Sequence, residues 1–92
     1  MNSHNVIEDK VREILIDILD VSKERIQPQS SLIQDLGASS IDLVEISTAL
    51  QNAFDIDLDD VEASRLVTVE DAVAFVQLAL ERKETSAGKH TG

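Results

Sequence analysis

One stretch of this chain gathers the residue types that could do chemistry: Asp35-Leu36-Gly37-Ala38-Ser39-Ser40-Ile41-Asp42-Leu43-Val44-Glu45. A Gly-Ala pair ends a loop there, and a Ser-Ser pair opens a helical pattern. A helix N-terminus presents unpaired backbone N–H groups and a partial positive charge, which suits a phosphate group. A serine at that place is accessible, and carboxylates flank it on both sides. Two readings stand at this point. Ser39 and Ser40 are only a capping pair, or one of them is a used hydroxyl. Other templates fail. The three glycines, Gly37, Gly88 and Gly92, are isolated, so no Gly-rich phosphate loop exists. No GxSxG elbow occurs. The two histidines, His4 and His90, sit near the chain ends, which argues against a histidine-based centre. Cysteine is absent, which excludes disulfides and thiolate chemistry from the chain itself. Asp55-x-Asp57-x-Asp59 resembles the start of an EF-hand loop, but Asp60 stands where Gly is needed and Leu66 where Glu is needed. No specific metal site is expected, and no catalytic residue is assigned.

The elements that must position this stretch are helical. Ile7, Val11, Ile14, Leu15 and Ile18 recur at helical spacing and predict a helix over Val6 to Leu19, with Asn5 as N-cap and Glu8 as its capping-box partner. A long irregular segment follows, about Asp20 to Ala38, holding the single proline, Pro28. A loop near that length is uncommon unless functional or packed by its own side chains. Val21, Ile26, Leu32, Ile33 and Leu36 are the residues expected to pin it down. A second helix begins at Ser39 or Ser40, with Ser39 and Asp42 as a capping box. Leu43, Ile46, Leu50 and Phe54 form its stripe, widened by Val44, Ala49 and Ala53. Asp59 caps a brief helix from Asp60 to about Ser64. Thr68 with Asp71 opens the last helix, through Val69, Ala72, Val73, Val76 and Leu80 to about Arg82. The fold expected is all-α: a four-helix bundle with three main helices, one short third helix and a long first loop. One domain spans residues 1–83, and residues 84–92 form a tail without a large apolar anchor, expected to be disordered.

Charge narrows the partners. Eight basic residues against eighteen acidic give a net −10. Ile26 to Ser64 contains no Lys or Arg and carries eight of those acids, so one half of the sequence holds nearly the whole imbalance. Nucleic acid is a poor partner, because binding needs cations against phosphates. An anionic membrane surface is disfavoured for the same reason. Basic protein surfaces are favoured in encounter rate; a solvated face kept acidic for solubility is the plain alternative. With no secretory leader visible and no apolar run near membrane-span length, a cytoplasmic protein is the expectation.

The stretch Asp35 to Ile46 resembles the hallmark of the acyl carrier proteins, Asp-Leu-Gly-Ala-Asp-Ser-Leu-Asp followed by a Val-Glu-Leu-like stretch. The likeness runs from about Val6 to Val76 without a gap. It includes the Phe54-Asp55-Ile56-Asp57-Leu58 connection and the helix start at Thr68-Val69-Glu70-Asp71-Ala72. The resemblance implies an acyl-carrier-like bundle and covalent attachment of 4′-phosphopantetheine, taken from coenzyme A by a separate Mg²⁺-dependent phosphopantetheinyl transferase. Register puts the modified serine at Ser40. The arm then supplies the thiol that the chain lacks, and the chain performs no catalysis itself. The implied partner-binding residues are Asp35, Ser39, Ile41, Asp42, Leu43, Glu45 and Asp60, which meet basic docking patches on the transferase and on acyl-transferring, synthase or ligase enzymes. Ile33, Ile46, Leu50, Phe54, Leu58 and Leu66 are the residues implied to line an acyl pocket. A monomer is expected.

Three departures matter. Ser39 replaces the usual aspartate. Gln51-Asn52-Ala53 replaces a run of glutamates. Ser47 and Thr48 stand where more apolar residues are common. They point to a specialised polyketide-like or modified-lipid pathway rather than general fatty-acid synthesis. An aminoacyl or peptidyl carrier is the nearest alternative. A carrier-like interaction protein that is never modified is the other, motivated by Ser39.

Overall fold

In the computed structural model the backbone is described for residues 3–90 and the side chains for residues 6–83. Four α-helices follow one another: α1 (Ser3–Leu19), α2 (Ser40–Phe54), α3 (Asp60–Ser64) and α4 (Val69–His90). Among the described residues there is no strand, only an isolated antiparallel bridge between Ser31 and Thr68.

The core is aliphatic. Ile7, Val11 and Leu15 project from α1 at four-residue spacing, one face of a helix. Ile46 and Leu50 come from α2, and Val69, Ala72, Val73, Val76 and Ala79 from α4. α1 packs against both α2 and α4. α3 buries no residue of its own. It is held by its flanks, where Ile56, Leu58 and Leu66 are buried.

The long loop is a built part of the core. Ile26, Leu32, Leu36 and Ala38 are buried, around a short 3-10 turn at Lys23–Arg25. The buried Ser30 hydroxyl donates to the Arg25 carbonyl at 3.1 Å and accepts from the Gln27 N–H at 3.0 Å. The loop is then zipped to the segment entering α4. Leu32 N–H donates to the Val67 carbonyl (2.8 Å), Val69 N–H to Ser30 (3.1 Å) and Glu70 N–H to Pro28 (2.8 Å). These backbone bonds span more than thirty positions of sequence, so the chain leading to Ser39 is anchored on α4 before α2 begins.

Capping sets the helix starts. Ser39 and Asp42 form the expected capping box, Asp59 and Glu62 a second, and Thr68 and Asp71 exchange bonds of 3.1 Å each. α1 differs from expectation: it begins at Ser3, so Asn5 lies inside its first turn and is not its cap. α4 continues to His90, past Arg82, where the apolar periodicity ends. Each further residue adds a backbone bond to a helix already nucleated. The side chains of residues 84–90, and residues 91–92 altogether, lie outside the described part. Val44 and Ala53, expected on the buried stripe of α2, are exposed; Ile33, expected to pin the loop, is exposed as well. Val44 lies on the side of α2 opposite Ile46, whereas Ala53 shares the face of Ile46 and Leu50 but sits in the last turn, one residue before the helix ends at Phe54.

Candidate attachment site

The site is built from the loop upward. Residues 31–38 make a tight wrap. The Asp35 carboxylate accepts from Ser31 N–H at 2.7 Å, the Arg25 guanidinium donates to the Asp35 carbonyl at 2.8 Å, and Ala38 N–H reaches the Leu32 carbonyl at 2.8 Å. Gly37 turns the chain at φ +76, where a side chain would meet nothing within 4 Å. Backbone conformation, not space, favours glycine there, at roughly 1–2 kcal/mol over L-residues other than Asn and Asp.

The next two residues separate in role. Ser39 is the N-cap of α2, with extended backbone. Its hydroxyl accepts from Asp42 N–H at 3.1 Å, and its own N–H donates to the Asp42 carboxylate at 3.0 Å. Ser40 is the first residue of α2 and is exposed. Among the described residues its hydroxyl has no hydrogen-bond partner. Ser39 is thus engaged in holding the helix, and Ser40 presents a free primary alcohol beside the unpaired N–H groups of a helix start. A phosphate-linked group fits such a residue: the nucleophile is open to solvent, and the developing anion lies at the positive end of the helix.

The surroundings are acidic and partly apolar. Glu45 is exposed, Asp42 half-buried, and neither is ion-paired among the described residues. Ile41 and Val44 are 73% and 65% exposed. Leu43 instead packs against the core. Asp60 is exposed as the first residue of α3. Of the residues expected to line a pocket, Ile46, Leu50, Leu58 and Leu66 are buried, and Phe54 packs half-buried against the core. Ile33 is 54% exposed and stands outside that seam.

The other end of α2 carries a different surface. Its C-cap, Asp55, adopts a left-handed conformation at φ 54. An open cleft of about 550 Å³ lies there, lined by acids of the α2–α3 connection and by Ala79, Arg82 and Lys83 of α4. The Lys83 ammonium donates to both the carbonyl and the carboxylate of Asp55, at 2.7 Å each, and Arg82 pairs with Glu62 at 2.9 Å. The hydrogen bond from Lys83, and then its charge, lower the Asp55 pKa below the usual carboxylate value of 3.8. Sequence reasoning missed this closure, because the cations arrive from twenty or more residues away. It also missed that two departures of α2 answer each other: the buried Ser47 hydroxyl accepts from the Gln51 amide at 3.3 Å.

Comparison with known proteins bears on this geometry directly. The family model described as "Phosphopantetheine attachment site" matches residues 9–76, well over half of the chain. An acyl carrier protein of Nitratidesulfovibrio vulgaris (strain DSM 19637 / Miyazaki F) is 39% identical over 71 residues, covering 77% of this chain and 93% of that one. The chain therefore belongs to the acyl carrier proteins, the small helical carriers with a phosphopantetheine attachment domain. Its prosthetic group is 4′-phosphopantetheine.

Proposed function

We propose that Ser40 is the attachment residue, and that residues 1–83 form one carrier domain with 84–92 as its tail. The observation that carries this reading is the division of labour between adjacent serines. The Ser39 hydroxyl is spent on the Asp42 N–H, and the Ser40 hydroxyl is exposed and unengaged. Attachment forms a phosphoester bond at Ser40 Oγ, breaks the pyrophosphate of coenzyme A so that adenosine 3′,5′-bisphosphate leaves, and releases the hydroxyl proton to a base on the transferase. When bound, the group supplies a thiol able to hold an acyl chain as a thioester. The chain's own residues present, shield and dock; they do no bond-making beyond Ser40.

In this reading the protein acts as a monomer in the cytoplasm. No helix among the described residues is long and apolar enough to cross a membrane. Glu45, Ile41 and Val44 form the outer face of α2 and meet a basic, partly apolar rim on the transferase and the acyl-handling enzymes. Steering by exposed charge is fast, weak and salt-sensitive, which suits a carrier that visits many enzymes. The Ser47–Gln51 pair and the absence of acids between Glu45 and Asp55 support service in a specialised lipid or polyketide-like pathway. Intact mass after incubation with coenzyme A, Mg²⁺ and a broad-specificity transferase tests the reading. One phosphopantetheine is expected on the parent chain and none on Ser40→Ala. A modified Ser40→Ala chain would overturn the site, and an unmodified parent would leave a carrier-like interaction protein.

A further inference from the structure

We infer that Asp42 is a positioning residue for Ser40, acting through the backbone of Ser39 rather than through a partner's cation. The inference rests on Ser40 being the attachment residue. Asp42 sits two residues beyond Ser40, acidic and beside the site, and charge alone makes it a docking residue. Its geometry says otherwise. One carboxylate oxygen accepts from the Ser39 N–H at 3.0 Å, its own N–H donates to the Ser39 hydroxyl at 3.1 Å, and the side chain is half-buried. The residue on each side of the first turn is therefore tied to the other, and Ser40 and Ile41 lie between the two ties.

That clamp has work to do at this place. Ser40 follows a loop that is itself held by backbone bonds to residues 67–70, so the entry to α2 is fixed from outside. Inside the helix, the first buried side chain of α2 is Ile46, more than a full turn beyond Ser40. Within that first turn only the half-buried Leu43 packs on the core, and Ser40 itself has no packing to hold it. The reciprocal bonds with Ser39 supply that hold, and without them a helix end frays. Glu45, one turn on, makes no such bond and is exposed, so it is the carboxylate left free for docking.

The two roles separate by substitution. Asp42→Asn keeps an oxygen able to accept from Ser39 N–H and removes the charge; Asp42→Ala removes both; Ser39→Ala breaks the same box from its other side. Positioning predicts that Asp42→Asn loads within about twofold of the parent. Asp42→Ala and Ser39→Ala should each fall about tenfold in kcat with KM little changed, the size of one lost cap. The double variant should fall further than either single one, because each substitution removes a different bond of the box: Asp42→Ala the one from Ser39 N–H, Ser39→Ala the one from Asp42 N–H. Glu45→Gln should instead raise KM. Amide exchange gives a readout independent of loading: the Ser39 amide should be protected in the parent and in Asp42→Asn, and exchange faster in Asp42→Ala. Equal loss in Asp42→Asn and Asp42→Ala, carried by KM and erased by salt, would make Asp42 a docking charge and overturn the inference. Ser40→Ala run alongside keeps the two layers apart. If it still loads, the attachment reading itself has failed; if it does not, a failure at Asp42 belongs to Asp42 alone.

Discussion

The two ends of α2 are both acidic, yet they use their acids in opposite ways. At the C-terminal end two of the carboxylates are answered by cations from within the molecule. Lys83 closes on Asp55 and Arg82 on Glu62, drawing α4 across the α2–α3 connection. At the N-terminal end no cation of this chain pairs with Asp42 or Glu45 among the described residues. There Asp35 and Asp42 bind backbone N–H groups, and Glu45 faces water. Negative charge therefore means two things here: internal closure at one pole, and at the Ser40 pole carboxylates that bind the backbone of the helix entry beside an exposed Glu45.

Changes at each pole can sharpen or break this contrast. The largest effect is at the Ser40 pole, where Ser40→Ala should abolish loading while leaving the helix content and melting temperature of the chain unchanged, because an exposed hydroxyl without a partner is removed. Circular dichroism beside intact mass checks both. Next comes the shaft that joins the poles. Leu50 is fully buried, and Leu50→Ala should cost about 2–5 kcal/mol in chemical denaturation. Both poles should suffer together, so a variant of normal stability would mean that they are not joined through this core. Third, Glu45→Gln should weaken loading at low salt and match the parent at high salt, since exposed charges are screened over about 8–10 Å at physiological ionic strength. The smallest effect lies at the far pole. Asp55 has its pKa lowered in the fold by Lys83, so the stabilisation it brings is present above the unfolded value of 3.8 and lost as pH falls below it. Lys83→Met should melt slightly lower near neutral pH and converge on the parent in acid, with loading unaffected. A loading defect in that variant would show that the poles are coupled.

Much of the fold was legible because it depends on local chemistry. Three capping boxes and the period of Ile46, Leu50, Val69 and Val76 are written in adjacent residues, and the helices start where those signals place them. The misread exposures of Ile33 and Val44, unlike the helix ends at Ser3 and His90, have one physical origin, which is that partners distant in sequence decide exposure. Ile33 looks like a loop anchor beside Leu32. The bond from Leu32 N–H to the Val67 carbonyl turns Leu32 inward and leaves Ile33 out. Val44 looks apolar enough for the core, yet the face of α2 that meets α1 and α4 is too narrow to reach it. Much of the site was legible too: the motif and the Ser39–Asp42 capping box placed both serines, and register pointed to Ser40, but the backbone bonds that tie the preceding loop to residues 67–70 come from distant sequence and were not legible.

The most direct test locates the modification itself. The loaded chain is digested, and the peptide spanning residues 39 and 40 is fragmented along its backbone by electron transfer, which leaves the phosphoester intact. The account predicts the added mass on Ser40, with the bond between Ser39 and Ser40 separating an unmodified from a modified fragment. Added mass on Ser39 would contradict it, because the hydroxyl held by the Asp42 N–H would then be the reactive one.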